Sequence, residues 1–271
     1  GSGLKSRIST SKRITKKSEN QAFRLPGQID ADKVLSLTHS HGKESLMRAY
    51  LGELIGTFTL VFIGTSVATL QGFLSGYGDT GWLGISFAFG GTLMVLVWVI
   101  GPVSGCHINP AVTIAMALSG RLPWSQVPGY VISQCIGAIV ASVVLLLLLG
   151  GIPEYDVTQN GLGANGNPRN MGIGSLLGWE VVLTALFLYT IFTATRDDAP
   201  AGFAGLAIGG FLFVAHLVGA QLGDSSLNPA RSLGPALVQG GDAVGVLWVF
   251  IVGPIVGGIL GWLLYKTLHT D

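Results

Sequence analysis

Apolar residues run almost unbroken through six stretches of the chain, near 49–71, 82–101, 127–150, 174–194, 203–220 and 245–267. Each is close to the ~20 residues that a helix needs to cross about 30 Å of hydrocarbon. Two shorter apolar segments, near 109–118 and 228–238, reach only about halfway at 1.5 Å per residue. Both are headed by the same tripeptide, Asn109-Pro110-Ala111 and Asn228-Pro229-Ala230. Asn is a favoured N-cap, and Pro is favoured at the first helical position. The pattern predicts an all-α integral membrane fold with six transmembrane helices and two re-entrant half-helices.

The two halves of the chain repeat. Leu51-Gly52-Glu53 opens the first span, and Leu177-Gly178-Trp179-Glu180 opens the fourth. The stretch from Ser104 to Ala111 parallels that from Gly223 to Ala230, and Gly137 of the third span matches Gly257 of the sixth. Three crossings per half is an odd number, so the second half is inverted relative to the first. Inverted repeats place a shared site near the midplane, with half-helix N-termini facing it.

Composition supports a membrane protein: 49% of residues are hydrophobic and 11% charged, with 41 Gly, against about 25% charge in soluble domains. Of the 15 Lys and Arg residues, all but Arg121, Arg169, Arg196, Arg231 and Lys266 lie in the first 50 positions. Residues 1–48 are polar and without sustained apolar period, and read as a basic, disordered cytoplasmic tail. They lack the apolar core and cleavage site of a signal peptide. Gly1-Ser2-Gly3, with no initiating Met, reads as a cloning remnant. Contact with anionic lipid is the simple role for the tail; phosphorylation among Ser6, Ser9, Thr10 and Ser11 is a second reading. Residues 49–271 form the channel domain, with repeats at about 49–150 and 174–268. The tail, Arg121, Arg196 and Lys266 fall on one side of the bilayer, which puts both termini in the cytoplasm.

Two half-helix N-termini meeting at membrane depth make a site for a polar permeant. Each Asn caps its helix and is expected to present amide N–H to the lumen. The positive helix ends disfavour cations there. Arg231, Glu53 and Glu180 are intramembrane charges, which are costly unless they face water or a partner. Glu53 and Glu180 either accept hydrogen bonds from the re-entrant loops or form a proton relay. His216 lies 12 residues before Asn228, about 18 Å of helix rise, at a level where an ordinary core histidine is the competing reading. No nucleophile–base pair, phosphate loop or metal cluster stands in register. An enzyme, a cofactor, a metal site and a nucleic-acid partner are not expected. Cys106 and Cys135 suggest no disulfide framework.

From about residue 47 to 270 the chain resembles the aquaporins, the major intrinsic proteins, and within them bacterial water-selective members. The residues that carry this are Gly52-Glu53 with Gly56-Thr57, the run Ser104 to Thr113, Ala199-Pro200-Ala201-Gly202-Phe203, and Asn228-Pro229-Ala230-Arg231-Ser232. The resemblance implies a homotetramer with one water pore per subunit, in the cell (plasma or inner) membrane. It also implies a selectivity filter of Phe89, His216, Ser225 and Arg231. Glycerol-conducting relatives tend to lack such a His and to carry Asp after the Arg. This chain has His216 and Ser232, with Ala236 and Trp248 also on the water-selective pattern. Ser225 departs from the Thr or Cys of close relatives, which leaves small neutral solutes such as ammonia open.

His107 either lines one half of the pore or braces its loop. Cys106 faces that half-pore and confers mercurial sensitivity, or is a packed thiol. The function expected is passive, osmotically driven, proton-excluding water conduction. Leakage of ammonia or glycerol, and a low-flux structural or adhesion role, are the alternatives.

Overall fold

The structure, a computed structural model, describes residues 31–74, 81–223 and 225–269, the side chains of 31–43, 220 and 223 excepted. The chain divides into two compact units, Gly1–Ser45 and Leu46–Asp271. The helices are α1 (Ala31–Phe73), α2 (Gly81–Ser104), α3 (Pro110–Leu118), α4 (Val127–Leu149) and α5 (Val157–Asn160). They continue as α6 (Ile173–Ala194), α7 (Ala204–Gly223), α8 (Pro229–Gln239), α9 (Asp242–Val246) and α10 (Val249–His269). Among the described residues, five stretches are long and apolar enough to cross a membrane: Glu44–Phe73, Gly81–Ser104, Trp124–Leu149, Ile173–Ala194 and Asp242–His269. Helix α7 stands where the sixth span is expected and is apolar over the shorter stretch Ala204–Gly219. Helices α3 and α8, with 9 and 11 residues, are the half-helices.

Helix α1 opens well before residue 49, so the backbone over 31–48 is helical where a disordered tail is expected. Hydropathy marks where hydrocarbon begins, whereas helical hydrogen bonding continues into polar sequence that contains no Pro. The rest of the expected tail, 1–30, lies outside the described residues. The short helices α5 and α9 give no long apolar run and escape a hydropathy reading. Asp156 caps α5, accepting from the Thr158 backbone N–H at 2.8 Å.

Lipid supplies no hydrophobic drive between spans, so close backbone approach through small residues holds them together. In the second unit α2 packs on α7, α6 on α10, α4 on α8 and α10 on α3, so each half-helix is clasped by a span of the other repeat. At the α2–α7 crossing, a Cβ on Gly90 would lie 2.6 Å from the Gly209 carbonyl oxygen, and one on Gly209 2.5 Å from that of Gly90. The repeat-related Gly137 and Gly257 do the same work within each half. A Cβ at Gly137 would overlap the Leu54 carbonyl oxygen, and one at Gly257 that of Val181. Gly137→Ala must therefore push α1 and α4 apart. We expect it to cost about 1–3 kcal/mol, lowering the unfolding midpoint of the detergent-solubilised protein by several degrees in a thermal-shift assay.

Candidate functional site

Each half-helix begins where the sequence places it. Asn109 is extended at φ −161° and its Oδ1 accepts from the Ala111 backbone N–H at 2.8 Å. Asn228 does the same with Ala230 at 3.1 Å and Arg231 at 3.3 Å. Pro110 and Pro229 are buried at the first helical positions and Ala111 and Ala230 pack behind them, so these four residues set the helix starts and do not border the central cavity.

The Asn amides, by contrast, are shared between lumen and fold. Asn109 Nδ2 donates to the Leu227 carbonyl at 2.7 Å, and Asn228 Nδ2 donates to the Ile108 carbonyl at 2.9 Å. The two re-entrant loops are thus bonded reciprocally across the repeats. One hydrogen of each amide is committed to this bond, and the second remains for the cavity that both Asn residues border. Ile108 and Leu227, the accepting residues, sit in the left-handed region at φ 41° and 57°. That conformation is costly for side-chain-bearing residues, β-branched Ile above all, and it turns each carbonyl onto the opposite Asn.

A buried carboxylate holds each loop in this state. Glu53 on α1 accepts four hydrogen bonds: Oε1 from His107 N at 2.9 Å and Ser104 Oγ at 2.6 Å, Oε2 from Ile108 N and Gln134 Nε2, both at 2.6 Å. Glu180 on α6 accepts from Ser226 N at 2.8 Å and Leu227 N at 3.0 Å. The two acids face loop backbone, and neither borders the cavity.

The cavity is narrow, about 70 Å³, and runs past both Asn residues from His107 and Thr195 at one end to Phe89, His216 and Arg231. At about 10–15 Å³ of accessible space per water, it has room for roughly five to seven molecules. It opens at the His107 end into a wider vestibule of about 660 Å³ lined by Arg121, Thr195, Arg196 and Tyr265. There Arg121 donates to Thr195 Oγ1 at 2.8 Å. Arg196 grips Asp198 through Nε at 2.7 Å and Nη2 at 2.6 Å, which holds that carboxyl below its ordinary range.

At the other end the Phe89 ring stacks on His216, with centroids 4.8 Å apart and planes 21° apart, and the Arg231 guanidinium carbon lies 4.8 Å from its centre. His216 Nδ1 donates to the Leu212 carbonyl at 3.0 Å, leaving Nε2 without a partner among the described residues. Arg231, although 1% exposed, is held by loop residues: Nη1 donates to Gly163 O at 2.9 Å and to Asn165 Oδ1 at 2.8 Å. Ser225 is buried against Gly219, and its neighbour Ser226 borders the cavity. Ala236 and Trp248 lie away from it.

Sequence reading missed Asn165 and Gln134 as parts of the site, and gave Ser232 only as a mark of the water-selective pattern. Ser232 Oγ donates to Asn165 Oδ1 at 2.8 Å and contacts Ser226 Oγ, tying the arginine's loop to the Asn228 turn. An Asp at 232 would set a carboxylate against that acceptor oxygen. Asn165 lies in a Gly- and Asn-rich stretch that reads as ordinary loop; one buried Asn there carries no local signal. Cys106 and His107 both border the cavity, Cys106 at φ 53° and 7% exposed.

Comparison with known proteins agrees with this architecture. The family model for major intrinsic proteins matches residues 40–265. The chain is 44% identical over 226 residues to Aquaporin Z of Rhodopseudomonas palustris, covering 82% of this chain and 93% of that one. It is 44% identical over 229 residues to Aquaporin Z of Bradyrhizobium diazoefficiens, covering 83% and 95%. The crystal structure of the aquaglyceroporin from Plasmodium falciparum superposes with a TM-score of 0.71 over 82% of this chain and 96% of that one, at 22% identity, which speaks to the fold. Half-helices joined tip to tip by reciprocal Asn bonds, a narrow cavity passing them, and these matches together make the chain a member of the major intrinsic protein family.

Proposed function

We propose that this protein is a passive, water-selective channel driven by osmotic gradients. The observation that carries the reading is the narrow file past Asn109 and Asn228. At the midpoint, spare Asn N–H groups and the positive ends of α3 and α8 offer donors to a water oxygen. A water accepting there points its hydrogens away from the centre, which breaks the donor–acceptor chain that proton hopping needs. The same dipoles repel cations. The filter admits water because Phe89 and His216 close the wall sterically while Arg231 and the bare His216 Nε2 replace lost hydration. The 44% identical relatives named Aquaporin Z support water as the permeant.

The finer assignments belong to the same proposal. Phe89, His216, Ser225 and Arg231 form the filter. Glu53 and Glu180 brace the loops, and Cys106 and His107 line the half-pore toward the cytoplasm. Residues 49–271 are the channel domain, the protein assembles as a homotetramer, and it resides in the cell membrane. Both termini are cytoplasmic, since Arg121, Arg196 and Lys266 collect at one end.

Stopped-flow light scattering on proteoliposomes tests the core of this. Shrinkage under a sucrose gradient should be at least about tenfold faster than in empty vesicles, a difference of about 1.4 kcal/mol in barrier, with no glycerol uptake. Shrinkage at the empty-vesicle rate would refute conduction.

A further inference from the structure

Two histidines border the file of water, and in both the fold decides which ring nitrogen carries the proton. For His216 the Leu212 carbonyl accepts from Nδ1 at 3.0 Å, and a carbonyl can only accept. For His107 the decision passes through Thr113. The Thr113 hydroxyl has three neighbours: it accepts from Gln134 Nε2 at 2.8 Å, lies 3.0 Å from the Asn109 carbonyl, and lies 3.3 Å from His107 Nδ1. It owns one hydrogen and two lone pairs. If that hydrogen went to His107, the hydroxyl and the Asn109 carbonyl would face each other at 3.0 Å as two acceptors. If it goes to Asn109, all three contacts are hydrogen bonds, and His107 must donate from Nδ1.

We infer that Thr113 is a positioning residue that locks His107 in the Nδ1–H tautomer and so presents a bare Nε2 acceptor where the file opens into the vestibule. The ring stands at that junction, bordering both spaces, with Nε2 beside Gly105, where an added Cβ would lie 3.4 Å from it. Nε2 has no protein hydrogen-bond partner among the described residues. His216 Nε2 ends the file in the same state. The file then runs between two acceptors with Asn donors at its centre. Water that accepts at the centre and donates outward therefore matches the wall at both ends. The tautomer is thereby tied to the start of α3, because Thr113 is bonded to the carbonyl of the very Asn that caps it. The inference rests on the proposed water conduction for its consequence, but not for its geometry.

The test is solid-state NMR of ¹⁵N-histidine-labelled protein in liposomes at about pH 8.5, above the ordinary imidazole range near 6.5. The His107 signal is identified by its loss in His107→Gln, and His216 serves as the internal reference. The wild type should show His107 protonated at Nδ1 and bare at Nε2. Thr113→Ser, which keeps the hydroxyl, should preserve this state. Thr113→Val, which keeps the shape and removes the acceptor, should move the proton to Nε2 in a large fraction of molecules and leave His216 unchanged. Water flux per channel should fall about two- to tenfold in Thr113→Val, the worth of one mismatched hydrogen bond, and stay near wild type in Thr113→Ser. A wild-type His107 protonated at Nε2 overturns the inference, even if Thr113→Val fails to fold. So does a Thr113→Val spectrum identical to wild type. Wild-type vesicles without water flux but with the stated tautomer would refute the channel reading and leave the tautomer lock standing.

Discussion

Exchanging His216 for Ala together with Arg231 for Val should raise glycerol permeability by about thirty- to a hundredfold while water flux stays within about threefold of wild type. In the proposed filter, glycerol would be excluded by size and by hydrogen-bond geometry, and these two side chains would supply both. His216 supports one face of Phe89 at 4.8 Å, and Arg231 approaches the same ring at 4.8 Å. Removing both frees wall volume and lets the ring relax. A barrier lowered by about 2.0–2.7 kcal/mol corresponds to that range at about 1.36 kcal/mol per decade. Water loses two fixed partners but gains room to keep its own neighbours, so its rate changes little. Gly163 O and Asn165 Oδ1, which accept from Arg231 Nη1, become available to pore water, and the fold tolerates the change. Glycerol uptake is read by stopped-flow reswelling of the same vesicles. A double variant that conducts water and still excludes glycerol would place the size limit elsewhere in the file.

Glu53→Gln should have the largest effect on the folded state. All four acceptor positions of the Glu53 carboxylate are occupied by donors that are buried or partly buried: the His107 and Ile108 N–H groups, Ser104 Oγ and Gln134 Nε2. An amide is nearly the same shape but turns one oxygen into two N–H groups. Two donors would then confront donors at 0% exposure. Each unsatisfied buried group costs about 1–3 kcal/mol, so the substitution is expected to cost about 3–5 kcal/mol, a large share of a typical 5–15 kcal/mol. The affected loop carries Ile108 in its left-handed state, and Ile108 O is the acceptor for Asn228. Flux per protein should therefore fall at least about tenfold as the midpoint contact loosens. Thermal unfolding in detergent and stopped-flow flux together check this. A variant as stable and as conductive as wild type would show that the carboxylate is not what holds the loop. Glu180→Gln, with two backbone donors to lose rather than four groups, should be the milder of the pair.

Much of this architecture is written locally. Asn109-Pro110 and Asn228-Pro229 announce helix starts through capping and φ preference, and the structure begins α3 and α8 at Pro110 and Pro229. Apolar runs bound the spans to within a few residues, because hydrocarbon thickness imposes length on each segment independently. The exception is the start of α1 at Ala31, where nothing apolar marks a helix that continues into polar sequence. Gly137 and Gly257 are visible as repeat partners, although not as contacts.

The site's connections are of another kind. That Asn109 bonds Leu227 and Asn228 bonds Ile108 depends on two loops more than a hundred residues apart meeting at their tips. That Asn165 holds Arg231 depends on a loop 66 residues away folding over the file's end. That Ser225 packs against Gly219 while Ser226 borders the cavity depends likewise on how the second re-entrant loop meets α7. By itself, the sequence determined the spans, the half-helices, the inverted repeat and which polar residues sit at membrane depth, since each follows from hydropathy and local backbone preference. Tertiary structure alone decided which of those polar groups face water and which spend their hydrogen bonds on the fold. A side chain's donors are allotted by whatever neighbours the packed chain brings within 3 Å, and no local pattern encodes that neighbourhood.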